Sequence, residues 1–315
     1  MHRKKRVLIT GASGFVGSHL CRFLYAKNFE IWAVFHQRIK RWPFPVHWLQ
    51  ADLTRPNEAL EVLRKTRPHM LFHLAGQAVP REAWKDAGRT HRLNVLASIF
   101  LLEGMARFAS EARLVLVSSL HAYGSSCLKK RRVDEKDLAN PLTPYGGSKL
   151  LMELVANNFF KTHHIQAVIA RASNQVGVGQ NPSFAFADFC RQIALIEKKK
   201  KAPILEVGNL QIERDFIHIR DAVQGYYVLA SRGNAGEIYN VSSGRGLRLS
   251  EAIEFLKAES RVPFKVVSFE SRRQRNDLPC IVADNSKLRK LGWRPQVSIW
   301  QGLQELLEDW RQRVK

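Results

Sequence analysis

Short runs of β-forming and apolar residues alternate along the chain with longer stretches whose apolar positions recur three and four apart. Residues 7–10, 30–35, 46–50, 69–74, 114–117 and 165–171 read as strands. The run over 114–117 is apolar at every position, as expected in the buried middle of a parallel sheet. Residues 18–27, 56–66 and 89–109 read as helices, Pro56 standing where a helix tolerates proline, in its first turn. Leu93, Leu96, Phe100, Leu101 and Met105 form the stripe of the 89–109 helix, with the polar Asn94 among them. A further helix opens at Pro144 and continues through Leu150, Leu151, Leu154, Val155 and Phe159. This alternation predicts an α/β fold around a doubly wound parallel sheet. After residue 171 the rhythm changes to a loop containing Asn174, Gly177, Gly179 and Pro182, a helix over 184–199, a strand over 204–207 and less regular segments. No internal repeat or flexible linker interrupts the chain.

The first strand runs straight into Gly11, Gly14 and Gly17 and then a helix. In such a turn the first glycine allows a sharp bend, the second a close approach of backbone to phosphate, and the third close packing of helix on strand. The free N–H groups and positive end of the helix then face an anion. The turn, with Ser13, Phe15 and Val16 inside it, is a candidate pyrophosphate site. It makes the sheet Rossmann-type, with a dinucleotide-binding domain over 1–171 and a mainly substrate-binding lobe over 172–315, some of whose segments return to the main sheet. The second strand ends at Phe35, where a carboxylate would accept the ribose hydroxyls of NAD. His36, Arg38, Lys40 and Arg41 follow instead, a cationic lip suited to a 2′-phosphate. NADP(H) is therefore the expected cofactor, ahead of NAD(H).

Composition changes this picture little. A chain of 315 residues with 45% hydrophobic content builds an ordinary core. No apolar run approaches the roughly 20 residues that span a bilayer, and the basic N-terminus leads into a strand, so a cytoplasmic protein without a membrane partner is expected. Cys21, Cys127, Cys190 and Cys280 lack the spacing of a zinc site or disulfide framework, and no metal is expected. The net charge of +22 could serve nucleic acid, but its clusters lack the interleaved aromatics of a single-strand groove, so a nucleic-acid partner is not the leading reading.

Ser119, Tyr145 and Lys149 are the candidate catalytic set. A phenol titrates near 10 in water, so a tyrosine handles protons near neutrality only with a cation beside it. Lys149, four residues on along the same helix, is placed to supply that charge, and Ser119 to hydrogen-bond the substrate oxygen.

The Gly-x-x-Gly-x-x-Gly spacing with this set resembles the extended short-chain dehydrogenase/reductases that act on nucleotide sugars, over nearly the whole chain. Three later stretches, 171–180, 207–216 and 277–288, resemble the GDP-6-deoxy-mannose reductases within them. That likeness implies NADPH-dependent reduction of the C4 keto group of GDP-4-dehydro-6-deoxy-D-mannose to GDP-D-rhamnose by a homodimer. It implies that Asp52 and Leu53 meet the adenine. Leu74, Ala75, Gly76 and Ala172 would lie along the cofactor, Lys149 would bond the nicotinamide ribose, and Asn94 would support that lysine. Gln77, His121 and Arg191 would face the substrate, Asn174 and Arg214 would hold its diphosphate, and Arg273 or Arg275 would join them there. Asp215 is expected to fix local structure.

The chain also departs from the pattern. Ala172 and Val178 stand where relatives tend to have proline, and Gln274 falls where the family has a diphosphate-binding arginine. His121 occupies a position held by Glu in dehydratases and Cys in epimerase-reductases. A second acid of an epimerase would fall near Gly179, which has no side chain. Dehydratase or epimerase chemistry, and a non-catalytic nucleotide-sensing or nucleic-acid-binding role, remain the alternatives.

Overall fold

The computed structural model describes residues 4–37, 42–273 and 277–314. Its strands are β1 (Arg6–Thr10), β2 (Glu30–Phe35), β3 (His47–Gln50), β4 (Met70–His73), β5 (Arg113–Ser119), β6 (Ala167–Ala172) and β7 (Asn174–Val176). They continue with β8 (Ile204–Val207), β9 (Glu213–His218), β10 (Ile238–Val241), β11 (Gly246–Arg248), β12 (Lys265–Ser268) and β13 (Cys280–Ile281). The helices are α1 (Phe15–Ala26), α2 (Pro56–Thr66), α3 (Pro80–Lys85), α4 (Ala87–His91), α5 (Ala97–Phe108) and α6 (Ser126–Lys129). After them come α7 (Pro144–His163), α8 (Ala185–Glu197), α9 (Ile219–Arg232), α10 (Leu249–Glu259), α11 (Ser286–Arg289) and α12 (Ile299–Arg313).

Seven parallel strands form the main sheet in the order β10-β6-β5-β4-β1-β2-β3, so the doubly wound Rossmann-type sheet read from the sequence is the fold. β1 shows how a continuously apolar strand serves two faces. Val7 and Ile9 join Leu20, Leu24, Val223 and Tyr226 under α1 and α9, while Leu8 joins Leu63, Leu101, Met105 and Met152 under α2, α5 and α7. A smaller sheet, β11-β9-β13 with β7 also paired to β9, and the β12-β8 pair come from later in the chain. A third core of Phe186, Ile193, Leu205, Leu256, Leu303 and Leu307 joins α8, α10 and α12 to β8. No described helix is long and apolar enough to cross a membrane.

The 89–109 helix is not continuous. A π-helical turn over Arg92–Leu96 separates α4 from α5 and carries Asn94, which is fully buried. Such a turn inserts one residue without breaking the apolar stripe, and turns of this kind recur at functional sites.

Candidate active site

Strand order reverses between β1 and β4, and ligands of open α/β sheets bind beyond the strand ends at such a reversal. Here the turns after β1, β4, β5 and β6 meet around a cleft of about 250 Å³. Gly11 has φ +66°, and a Cβ on it would lie 2.8 Å from the Ala75 nitrogen. A Cβ on Gly17 would lie 2.3 Å from the Gly11 carbonyl oxygen. The turn is thus packed so closely against backbone that only glycine fits at these two positions. No side chain caps α1 at Gly14 and its first turn has no acid, so its N–H groups remain available to an anion. Ser13 is half-buried within the turn, and Phe15, Val16, Leu74 and Ala172 line the cleft.

Of the two residues expected to meet the adenine, Leu53 is buried. Asp52 accepts from the Thr54 amide at 3.0 Å and hydroxyl at 2.7 Å. The Thr54 hydroxyl, with His36 and Arg55 contributing less, holds the Asp52 carboxyl below the usual range. His36 is exposed with Nε2 3.9 Å from that carboxylate. Arg38 lies outside the described residues.

Ser119 is the last residue of β5, and Tyr145 and Lys149 occupy the first turns of α7. That helix begins sharply because Pro144 opens it and the Thr143 hydroxyl accepts from the Gly146 amide at 3.0 Å. Gly146 is required there, since a Cβ would lie 2.5 Å from the His121 carbonyl oxygen. Ser119, Tyr145 and Lys149 are each 7% exposed. Burial pushes the Tyr145 phenol up to about 12, with a hydrogen bond to Ser119 opposing it. Lys149 supplies the cation beside this ring, its Nζ 5.9 Å from the ring centroid and donating to the Val117 carbonyl at 3.0 Å. Burial brings Lys149 down to about 8, partly offset by Glu153. The set is a protonated phenol beside an amine poised near working pH, which suits a proton donor.

Asn94 does not contact Lys149 in the hydrogen bonds it makes. Its Oδ1 accepts from the Gln77 amide at 2.7 Å, and its Nδ2 donates to the Gln77 carbonyl at 3.2 Å and to Ser148 Oγ at 2.8 Å. A Cβ on Gly76 would lie 2.3 Å from that Oδ1. The Gln77 side chain folds back to accept from the Val79 amide at 2.7 Å.

His121, Asn174 and Arg214 line the cleft with the catalytic set. The His121 ring stands edge-on to Tyr145, centroids 5.5 Å apart, and burial pushes it down to about 4, with Arg214 acting in the same direction, so it is neutral. Arg214 donates to Asp277 at 3.0 Å and to the Glu213 carbonyl at 2.9 Å. Next to it, fully buried Asp215 accepts from the Ser243 amide and hydroxyl, both at 2.8 Å, and the Gly244 amide at 3.0 Å. Asp215 thus holds local structure, and burial raises it to about 6.

Three expected substrate contacts are not brought to the cleft wall: Gln77, whose side chain is turned back on Val79, and two arginines. Arg191 pairs with Asp188 at 2.9 Å on its own helix, and Arg273 pairs with Glu270 at 2.9 Å. Arg272 is committed to Asp188 and Glu206, at 2.8 and 2.7 Å. Arg275 lies outside the described residues.

The profile of the family described as GDP-mannose 4,6 dehydratase matches residues 8–306. The chain belongs to this family. It is 33% identical over 99% of its length to GDP-6-deoxy-D-mannose reductase of Pseudomonas aeruginosa, of which 99% is covered. It is 27% identical to GDP-6-deoxy-D-talose 4-dehydrogenase of Aggregatibacter actinomycetemcomitans, over 90% of each chain. Among solved structures, RMD from Pseudomonas aeruginosa complexed with NADPH superposes with a TM-score of 0.85 at 32% identity, covering 99% of this chain and 100% of that one. These findings bear out the resemblance to enzymes of nucleotide sugars.

Sequence reasoning missed Glu153, one turn beyond Lys149. It receives Arg171 at 2.7 Å and the Ser118 hydroxyl at 2.5 Å, all three buried, and binds α7 to β5 and β6. Its spacing of four from Lys149 was the available signal.

Proposed function

We propose that this protein reduces the C4 keto group of a nucleotide-linked 4-dehydro-6-deoxy sugar with NADPH, the substrate being GDP-4-dehydro-6-deoxy-D-mannose and the product GDP-D-rhamnose. The observation that carries this reading is the buried, protonated Tyr145 between Ser119 and Lys149, in a chain similar throughout to a GDP-6-deoxy-D-mannose reductase. The glycine turn and Leu74 to Gly76 would hold NADPH, which when bound would supply the hydride for the sugar C4 carbon. Ser119 and Tyr145 hold the carbonyl oxygen, and Tyr145 gives its phenolic proton to that oxygen as charge develops there. The Lys149 ammonium then stabilises the phenolate left behind. Asn174 and Arg214 hold the diphosphate, Arg214 through a fork that matches its oxygens.

Reduction needs one proton, whereas a 4,6-dehydratase also needs an acid/base near sugar C5 and C6. Asp277 is the one carboxylate among the described residues lining the cleft, and Arg214 binds it. This favours the reductase. The exposed Leu96 of the π turn and Leu151 and Leu154 of α7 support a homodimer built on those segments, and the protein is proposed to work in the cytoplasm.

Incubation with NADPH and a panel of 4-keto nucleotide sugars tests the reading. Oxidation of NADPH with the GDP-linked sugar is expected, and in D₂O with unlabelled NADPH the product should carry no solvent deuterium on carbon. Enzyme-dependent deuterium at C3 or C5 would overturn it in favour of dehydratase or epimerase chemistry.

A further inference from the structure

Beneath the cleft, fully buried Thr10, His73, Ser98, Asn94 and Ser148 connect β1, β4, the π turn, α5 and α7. Their hydrogen bonds fix a direction. Thr10 Oγ1 accepts from the Leu74 and Ala75 amides, both at 3.2 Å, leaving its one proton for His73 Nδ1 at 2.7 Å. Nδ1 must then be the acceptor, so the His73 proton sits on Nε2 and goes to Ser98 Oγ at 3.0 Å. Ser98 donates its own proton to the Asn94 backbone carbonyl at 2.6 Å, so the link onward runs through the covalent frame of Asn94. The Asn94 side chain spends both amide hydrogens on Gln77 and Ser148, and Ser148 donates to the Tyr145 carbonyl at 2.8 Å. Every donor in the chain is used once, and reversing one link would leave a buried group unpaired.

We propose that His73, Ser98 and Ser148 are positioning residues that fix Tyr145 relative to the cofactor turn, through one buried hydrogen-bond chain running from Thr10 to the first turn of α7. The geometry gives the chain two fixed ends. At one, Thr10 precedes Gly11 and ties that turn to Leu74 and Ala75. At the other, Ser148 bonds the backbone of the proton donor itself. His73 suits the middle because burial pushes it down to about 3, so it stays neutral and keeps one tautomer across the working pH range. Its role is geometric, and no proton travels along the chain during turnover. The inference rests on the reductase reading, and its test separates the two.

Ser98→Ala removes the acceptor for His73 and the donor to Asn94. Displacement of a reacting group by an ångström can cost on the order of 10²-fold in rate, so kcat should fall at least about tenfold with both KM values within about twofold. His73→Leu should match it, while His73→Gln, which keeps an amide donor near Nε2, should recover part of the loss. Ser98→Ala combined with Ser148→Ala should lose no more than the worse single variant, as expected of residues in one chain. In the cofactor-free protein, Ser98→Ala should also speed hydrogen exchange at the Gln77 amide, which is held by Asn94. A kcat within twofold of the parent, losses that multiply in the double variant, or an unchanged Gln77 amide would each overturn the chain. A parent without turnover on any 4-keto sugar would instead sink the reductase reading, and the exchange measurement would still decide this one.

Discussion

Lys149, on α7, and Arg214, on β9, face the same cleft and are held in contrasting ways. Lys149 rests on a backbone carbonyl, while the nearby Glu153 is already occupied by Arg171 and Ser118. Arg214 is bound by the Asp277 carboxylate. Burial therefore brings the lysine down to about 8, whereas the arginine stays cationic despite a lowering from burial that Asp277 opposes. In the proposed reaction, the cation that would answer to a proton shift rests on a carbonyl, and the one that would meet the diphosphate is paired with a carboxylate.

The contrast breaks most visibly at Tyr145. Tyr145→Phe should cut turnover by about 10²–10⁴-fold, the usual range for general acid catalysis, with NADPH affinity nearly unchanged when read by fluorescence titration. Near-normal turnover in that variant would remove the mechanism.

Arg214→Gln should act on binding instead. Losing charge-assisted hydrogen bonds worth about 1.5–3 kcal/mol should raise KM for the sugar nucleotide by roughly 10–100-fold, with a smaller change in kcat. An effect confined to kcat would place Arg214 with the proton-handling group.

The titration of Lys149 sharpens the comparison further. The reactive form carries both Lys149 and Tyr145 protonated, so each is lost as pH rises, Lys149 first. Therefore kcat/KM should be flat below about 8 and fall above it by about tenfold per pH unit. A profile still flat at pH 9.5 would uncouple Lys149 from the proton transfer.

The smallest effect is expected at His121. It is neutral above about 4, and one proton from Tyr145 suffices. His121→Asn should keep turnover within about twofold, and no ionisation near the unperturbed histidine value of about 6.5 should enter the parent's profile. Loss of such an ionisation in the variant would show that His121 shares in the proton transfer.

The two sides of the cleft also differ in how well the sequence announces them. Val7 to Thr10 followed by three glycines, and Tyr145 four residues before Lys149, are local patterns whose geometry follows from strand, turn and helix periods. The π turn was hidden because Leu93, Leu96, Phe100, Leu101 and Met105 keep a helical spacing on either side of the inserted residue. The partner of Asn94 was not legible either: Ser148 and Lys149 are adjacent, and only packing of the π turn on α7 decides which one the amide meets. On the other side, Arg191, Arg214, Arg272 and Arg273 look alike in sequence. Only Arg214 among them lines the cleft; Arg191 and Arg272 share Asp188, and Arg273 is held by Glu270.

For an engineer wishing to retune the proposed grip on the diphosphate, the adjacency of Arg214 and Asp215 defines a boundary. Successive residues of β9 point to opposite faces, one toward the cleft and one into a nest of backbone amides from Ser243, Gly244 and Ala283. A saturation library spanning both codons would mix variants that change recognition with variants that lose the strand's anchorage, and a screen on activity could not tell them apart. Randomising positions 174 and 214 while keeping Asp215 constant confines the diversity to the ligand-facing wall.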